Sequence, residues 1–190
     1  MSGTQPAVFR SLPETSRAID DGTLQLSPRA RLLGAMLDAV AKRGYAATTV
    51  ADVVTLAGTS RRSFYEHFAD KDAAYVEAYA FAGDLLFERL EAADDLPALL
   101  EVYLQTLASV PSVASAFVLE VRTASEAARE RHRHMADRFA KLLPQAEPHL
   151  RIAAVAGVEE IVSREIRDGN TERLPELKGA LVDVVERLLS

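Results

Sequence analysis

Arg61, Arg62 and Ser63 stand in a row at the head of a short segment that continues through Tyr65 and His67. Adjacent guanidinium groups in that setting suit the recognition of a polyanion. An arginine presented at the start of a helix bonds the O6/N7 edge of guanine in bidentate fashion, for about 1–3 kcal/mol of discrimination.

Other chemistry finds little support. Cysteine is absent, so there is no disulfide framework, thiolate metal site or Cys nucleophile. There is no Gly-rich phosphate loop, no His pair at metal spacing and no Ser-His-acid arrangement. His132 and His134 lie two apart, face different ways on a helix and sit among Arg129, Arg131, Arg133 and Arg138, which repel a cation. A solvated basic stretch is the expectation there. Glu159-Glu160 reads as one carboxylate at a core edge and one in solvent. The sequence thus predicts no enzyme, no cofactor and no metal.

The arginines need elements that hold them outward. Thr49 followed by Asp52 is a capping-box-like helix start. Val50, Val53, Val54 and Ala57 then give one apolar face at helical spacing. Gly58 follows where a left-handed C-terminal cap is wanted, and Thr59 or Ser60 can cap the next helix. Phe64 can pack back on the preceding helix, Phe68 closes a small core, and Asp70 can cap a helix beginning near Lys71. Upstream, Ser27-Pro28 opens a helix with Leu32, Leu33, Met36, Leu37, Ala39 and Val40, ending at Gly44. Two short helices joined by a glycine turn have the layout of a helix-turn-helix whose second helix enters the major groove of DNA.

In these residues the chain resembles the TetR family of bacterial transcription regulators. The pattern stands as Gly44-Tyr45, Thr48-Thr49-Val50, Ala57-Gly58, Ser60, Phe64-Tyr65, Phe68 and Lys71. Val54-Thr55 and Ala73-Ala74 depart from it, away from the DNA-facing positions. The resemblance implies that Thr49, Ser60, Tyr65, His67 and Lys71 contact phosphates and fix register, while Arg61, Arg62 and Ser63 reach base edges. It also implies a sequence-specific regulator, most simply a repressor released from a palindromic operator by a small apolar effector. A pair of recognition helices about one DNA turn (~34 Å) apart reads such a site.

The net charge of −6 does not by itself favour a nucleic-acid binder, but its distribution permits one. Residues 27–72 carry seven Lys/Arg against five Asp/Glu, and residues 73–190 carry thirteen against twenty. A mildly basic head on an acidic body is enough, because only the docking face meets phosphate. No apolar run approaches a membrane span and no signal pattern opens the chain, so a cytoplasmic protein with no membrane partner is expected.

The expected fold is all-α. Residues 1–26 form a flexible arm, whose Arg10 and Arg17 can brush DNA; 27–72 form a three-helix DNA-binding domain; 73–190 form a helical effector-binding and dimerisation domain. Punctuation predicts helices near 71–91, 96–109, 112–123, 125–142, 148–167 and 175–189. Tyr79, Phe87, Tyr103, Phe117, Met135 and Phe139 are candidates to line an apolar pocket, as the resemblance implies, although such residues also suit a plain core. The last two helices are the candidate homodimer interface through Ile152, Val155, Ala156, Glu159, Val162, Leu181, Val185 and Leu188. The alternative is a helical dimeric protein-interaction module that keeps the fold without specific DNA binding.

Overall fold

Ser27 accepts the Ala30 N–H at 3.2 Å and Pro28 occupies the first helical position, so α1 (Pro28–Arg43) starts where its sequence signal stands. It ends on Gly44, whose φ of 78° is a left-handed conformation that favours glycine. The computed structural model describes residues 17–20 and 23–190, with side chains from Ser27 onward.

Side-chain caps also open α2 (Val50–Leu56, Thr49), α3 (Arg61–His67, Ser60), α4 (Lys71–Leu90, Asp70), α5 (Leu96–Ser109, Asp95) and α7 (Glu126–Leu142, Ser125). Each satisfies one of the backbone donors that a helix start leaves unpaired. Between α5 and α7 the chain forms α6 (Pro111–Ala114), a π-helical turn (Ser115–Leu119) and a 3-10 turn (Glu120–Arg122). A single helix over 112–123 was expected there. The wide turn carries Phe117, which lines both cavities beside it, and the buried Val118. Helix α8 (Pro148–Arg167) is followed by a 3-10 segment (Thr171–Leu177) and α9 (Lys178–Leu189). The helix expected from 175 begins at 178, because Pro175 lacks a donor and stays in the 3-10 segment.

Arg17–Asp20 (β1) and Thr23–Leu26 (β2) pair antiparallel, with Arg17 opposite Leu26 and Asp20 opposite Thr23. No regular element was expected in the arm. The DNA contact anticipated for Arg10, and the side chain of Arg17, lie outside the described residues.

Helix α1 is buried along most of its length and packs against α2, α3, α4, α6 and the π-turn. Helix α4 touches α1, α5 and α7; α7 packs on α8, α8 on α9, and α9 back on α5. The buried residues form one contiguous cluster from Leu32 to Val185, crossing the boundary expected at 72/73. No single helix among the described residues is long and apolar enough to cross a membrane.

Candidate functional site

The recognition helix is oriented by Phe64 and Phe68. Phe64 is fully buried, Phe68 nearly so, and their rings lie 5.4 Å apart. The turn before α3 closes through Thr59 N–H to the Val54 carbonyl at 3.0 Å, with Gly58 at φ 60°. With that face anchored, Arg61, Arg62, Tyr65, Glu66 and His67 all point to solvent. Tyr65 stays 57% exposed although it is a large aromatic, its ring edge-on to Phe64 at 5.3 Å. Arg62 Nε meets Glu66 Oε1 at 3.1 Å, an exposed pair of small energy that a phosphate can displace. Arg61 has no ion pair among the described residues.

The expected phosphate-contacting residues fare differently. Ser60 accepts the Ser63 N–H at 3.1 Å, which leaves its own proton to donate outward. Thr49 is exposed, but its hydroxyl donates to Asp52 Oδ2 at 2.7 Å and accepts the Asp52 N–H at 3.3 Å. The hydroxyl bond, and after it the Thr49 backbone N–H donating to Asp52 Oδ2 at 2.9 Å, hold the Asp52 carboxyl below the usual range. Lys71 turns inward: its Nζ donates to the Tyr45 carbonyl at 2.8 Å and lies 4.2 Å from the centre of the Tyr45 ring. The sequence offered no sign of this contact, which spans 26 positions.

A junction that sequence reasoning missed surrounds Tyr45. Its hydroxyl donates to Asp72 Oδ1 at 2.8 Å, and burial, then that bond, raise its ionisation above the ordinary phenol range. Its backbone N–H donates to Glu120 Oε2 at 2.8 Å, and its ring meets Tyr75 at 4.9 Å. Tyr75, fully buried, donates its hydroxyl to the Ala116 carbonyl at 2.8 Å. The turn before α2, the start of α4 and the π/3-10 stretch are thus tied together.

Two adjoining cavities lie behind that stretch. The smaller is lined by Tyr79, Phe87, Tyr103, Phe117, Met135 and Phe139, all six of the expected pocket residues, together with Leu86, Ala136, Val155, Val158 and Glu159. The larger lies between α4, α5 and α6, with Arg89 among its lining residues; Leu86 and Phe117 line both. Phe117 stacks on Tyr79 with centroids 4.2 Å apart. Gly83 of α4 lets Met135 approach: an added Cβ would lie 2.6 Å from its Cε.

His132 is not a solvated residue, as the sequence suggested. It is half-buried, with Nδ1 2.9 Å from the Tyr79 hydroxyl and Nε2 3.4 Å from Glu159 Oε2. The ring thus bridges the Tyr79 hydroxyl and the Glu159 carboxylate through its two nitrogens. Arg122 spans Glu159 at 3.6 Å and Glu160 at 3.8 Å.

The expected dimer residues divide in two. Val155, Val162, Leu181 and Val185 are buried in the chain's own core and have no surface to offer a partner, while the half-buried Glu159 lines the cavity. The wide apolar stripes of α8 and α9 face inward, where α5, α7 and the 3-10 segment cover them. Ile152, Ala156 and Leu188 remain exposed, joined by Ala153 and Val184.

Residues 32–78 match the family model for bacterial regulatory proteins of the tetR family. No curated protein matches the chain. Solved structures do. The fatty acid degradation regulator FadR from Bacillus halodurans has a TM-score of 0.69 at 17% identity, over 84% of this chain and 97% of that one. The transcriptional regulator FadR from Bacillus subtilis, in complex with stearoyl-CoA, gives 0.68 at 16% identity over the same shares. A transcriptional regulator from Rhodococcus sp. Rha1 gives 0.63 at 23% identity, over 86% and 96%. At these identities the likeness is one of fold. The helix-turn-helix head thus fits the tetR family model over residues 32–78, and 84% of the chain shares the fold of solved regulators of transcription.

Proposed function

We propose that the chain is a homodimeric repressor that reads a palindromic operator with α3 and leaves it when a small, largely apolar effector enters the cavities beside Phe117. The observation that carries this is the two-sidedness of α3: Phe64 is fully buried, while Arg61, Arg62, Tyr65 and His67 face solvent. Arg61, Arg62 and Ser63 read bases; Ser60, Tyr65 and His67 hold phosphates. Thr49 and Lys71 serve the head by fixing α2 and the Tyr45 turn.

Ile152, Ala156 and Leu188, with Ala153 and Val184, form the surface that meets a second copy. Exposed apolar side chains on two neighbouring helices suit a symmetric four-helix contact. The apolar cavities support the effector. B. subtilis FadR, of the same fold, was solved with stearoyl-CoA. Coupling runs from Phe117 through the π-turn to Glu120 and Tyr45. About 1–3 kcal/mol between the sites suffices for such a switch.

Selection of duplexes from a random pool, followed by titration of the enriched sequence against salt, tests the reading. Enrichment of a two-fold-symmetric site bound with a steep salt dependence is expected. Equal affinity for every duplex would exclude it.

A further inference from the structure

The smaller cavity holds two polar groups with bonding capacity left over. The hydroxyl-bearing residue Tyr103 is only 6% exposed, lines the cavity and has no hydrogen-bond partner among the described residues. Glu159 is the one charged residue lining the cavity, and both its contacts, from His132 and Arg122, fall on Oε2. The Tyr79 hydroxyl is already committed to His132. Burial, then the Glu159 charge, raises the ionisation of Tyr103, so the phenol remains a donor and that carboxylate lies within its electrostatic reach. The Tyr103 hydroxyl is free to bond a ligand in the cavity, and a neutral hydrogen bond there contributes about 0.5–1.5 kcal/mol.

We infer that this cavity binds an uncharged, mainly aromatic or alicyclic molecule carrying one hydroxyl, which donates to Glu159 and accepts from Tyr103. A hydroxyl does both at once, whereas a carbonyl or ether only accepts. The aromatic walls take the apolar body, and room beyond Phe117 takes any extension of it. A carboxylate is rejected. The one charged residue lining the cavity is the anion Glu159, which a second carboxylate would face directly. A cation gains less than that charge suggests, because Arg122 already pairs with Glu159 and Arg138 lies 4.2 Å over the Phe87 ring.

The inference deepens the effector reading, and its test is made on the protein without DNA, so a failure to bind is distinct from a failure to regulate. The probes are 4-tert-butylphenol, tert-butylbenzene, 4-tert-butylbenzoate and 4-tert-butylbenzylamine, titrated calorimetrically into the full chain. The phenol is expected to bind roughly tenfold or more tighter than tert-butylbenzene, and the benzoate not to bind. Tyr103→Phe is expected to bring phenol and hydrocarbon within about threefold of each other without weakening the hydrocarbon. Glu159→Gln is expected to admit the benzoate. Equal affinities for phenol and hydrocarbon, tightest binding by the benzoate or the amine, or no binding by any probe to folded protein overturns the inference.

Discussion

Glu120 Oε2 accepts the backbone N–H of Tyr45 at 2.8 Å, across 75 positions of sequence. This bond joins the turn that launches the helix-turn-helix to the stretch that carries Phe117. The fit is close on the neighbouring residue too, since a Cβ on Gly44 would lie 3.3 Å from the same oxygen. Glu120→Ala leaves the Tyr45 N–H without its partner and should cost about 1–2 kcal/mol. It should also blunt the effect of an effector on DNA affinity. Urea unfolding and operator titrations with and without effector check the two parts; an undiminished effector response would remove Glu120 from the route.

Arg61→Ala should weaken operator binding by roughly tenfold or more while shifting stability by no more than about 0.5 kcal/mol. Glu66 makes the complementary case. It stands on the same exposed face and pairs with Arg62 at 3.1 Å, so Glu66→Gln should strengthen binding to any duplex at low salt. Electrophoretic titrations at two salt concentrations separate specific from general effects.

Acid should loosen the head through Asp52. Its carboxyl is held below the ordinary value near 3.8 by the bonds from Thr49, so folding favours the ionised form. That contribution is complete above the ordinary value and is lost as pH falls through the lowered one. Thr49→Val removes the larger, hydroxyl share of it and leaves the backbone N–H bond in place. The stability gap between wild type and Thr49→Val should therefore be widest near neutral pH and narrow below about pH 3.8, leaving only the pH-independent share of the cap. Urea midpoints from pH 7 to 3 measure it. A gap that stays constant across the range counts against this account.

Surface and core on the last two helices should separate cleanly. Ile152→Asp and Leu188→Asp place charge on exposed positions and should yield folded monomers that no longer bind a two-fold site cooperatively. Val185→Asp, one turn from Leu188 but fully buried, should unfold the chain, because an unpaired carboxylate has no solvent there. Sedimentation and circular dichroism distinguish the outcomes.

The head was legible because its signals are local. Ser27-Pro28, Thr49 with Asp52, Gly58, Ser60 (one of two candidates with Thr59) and Asp70 each act within a few residues, and each stands where the structure uses it. The six aromatic and Met candidates converge on one cavity, since helical spacing and size suffice to aim them inward. What escaped depends on chain segments meeting from afar. Lys71 on Tyr45, Glu120 on Tyr45, and His132 between Tyr79 and Glu159 are all products of packing. The apolar stripes of α8 and α9 told correctly that something covers them. They did not tell whether the cover is the same chain or a second one, and four of those residues proved to be core.

The unbroken run of buried residues from Leu32 to Val185 has a practical corollary. Head and body share their interior, so heat should melt them in one cooperative step rather than two. Any compound that settles among the aromatic rings would then raise the melting point of the whole molecule, the DNA-reading end included. A single dye-based melting curve would suffice to sift a chemical library.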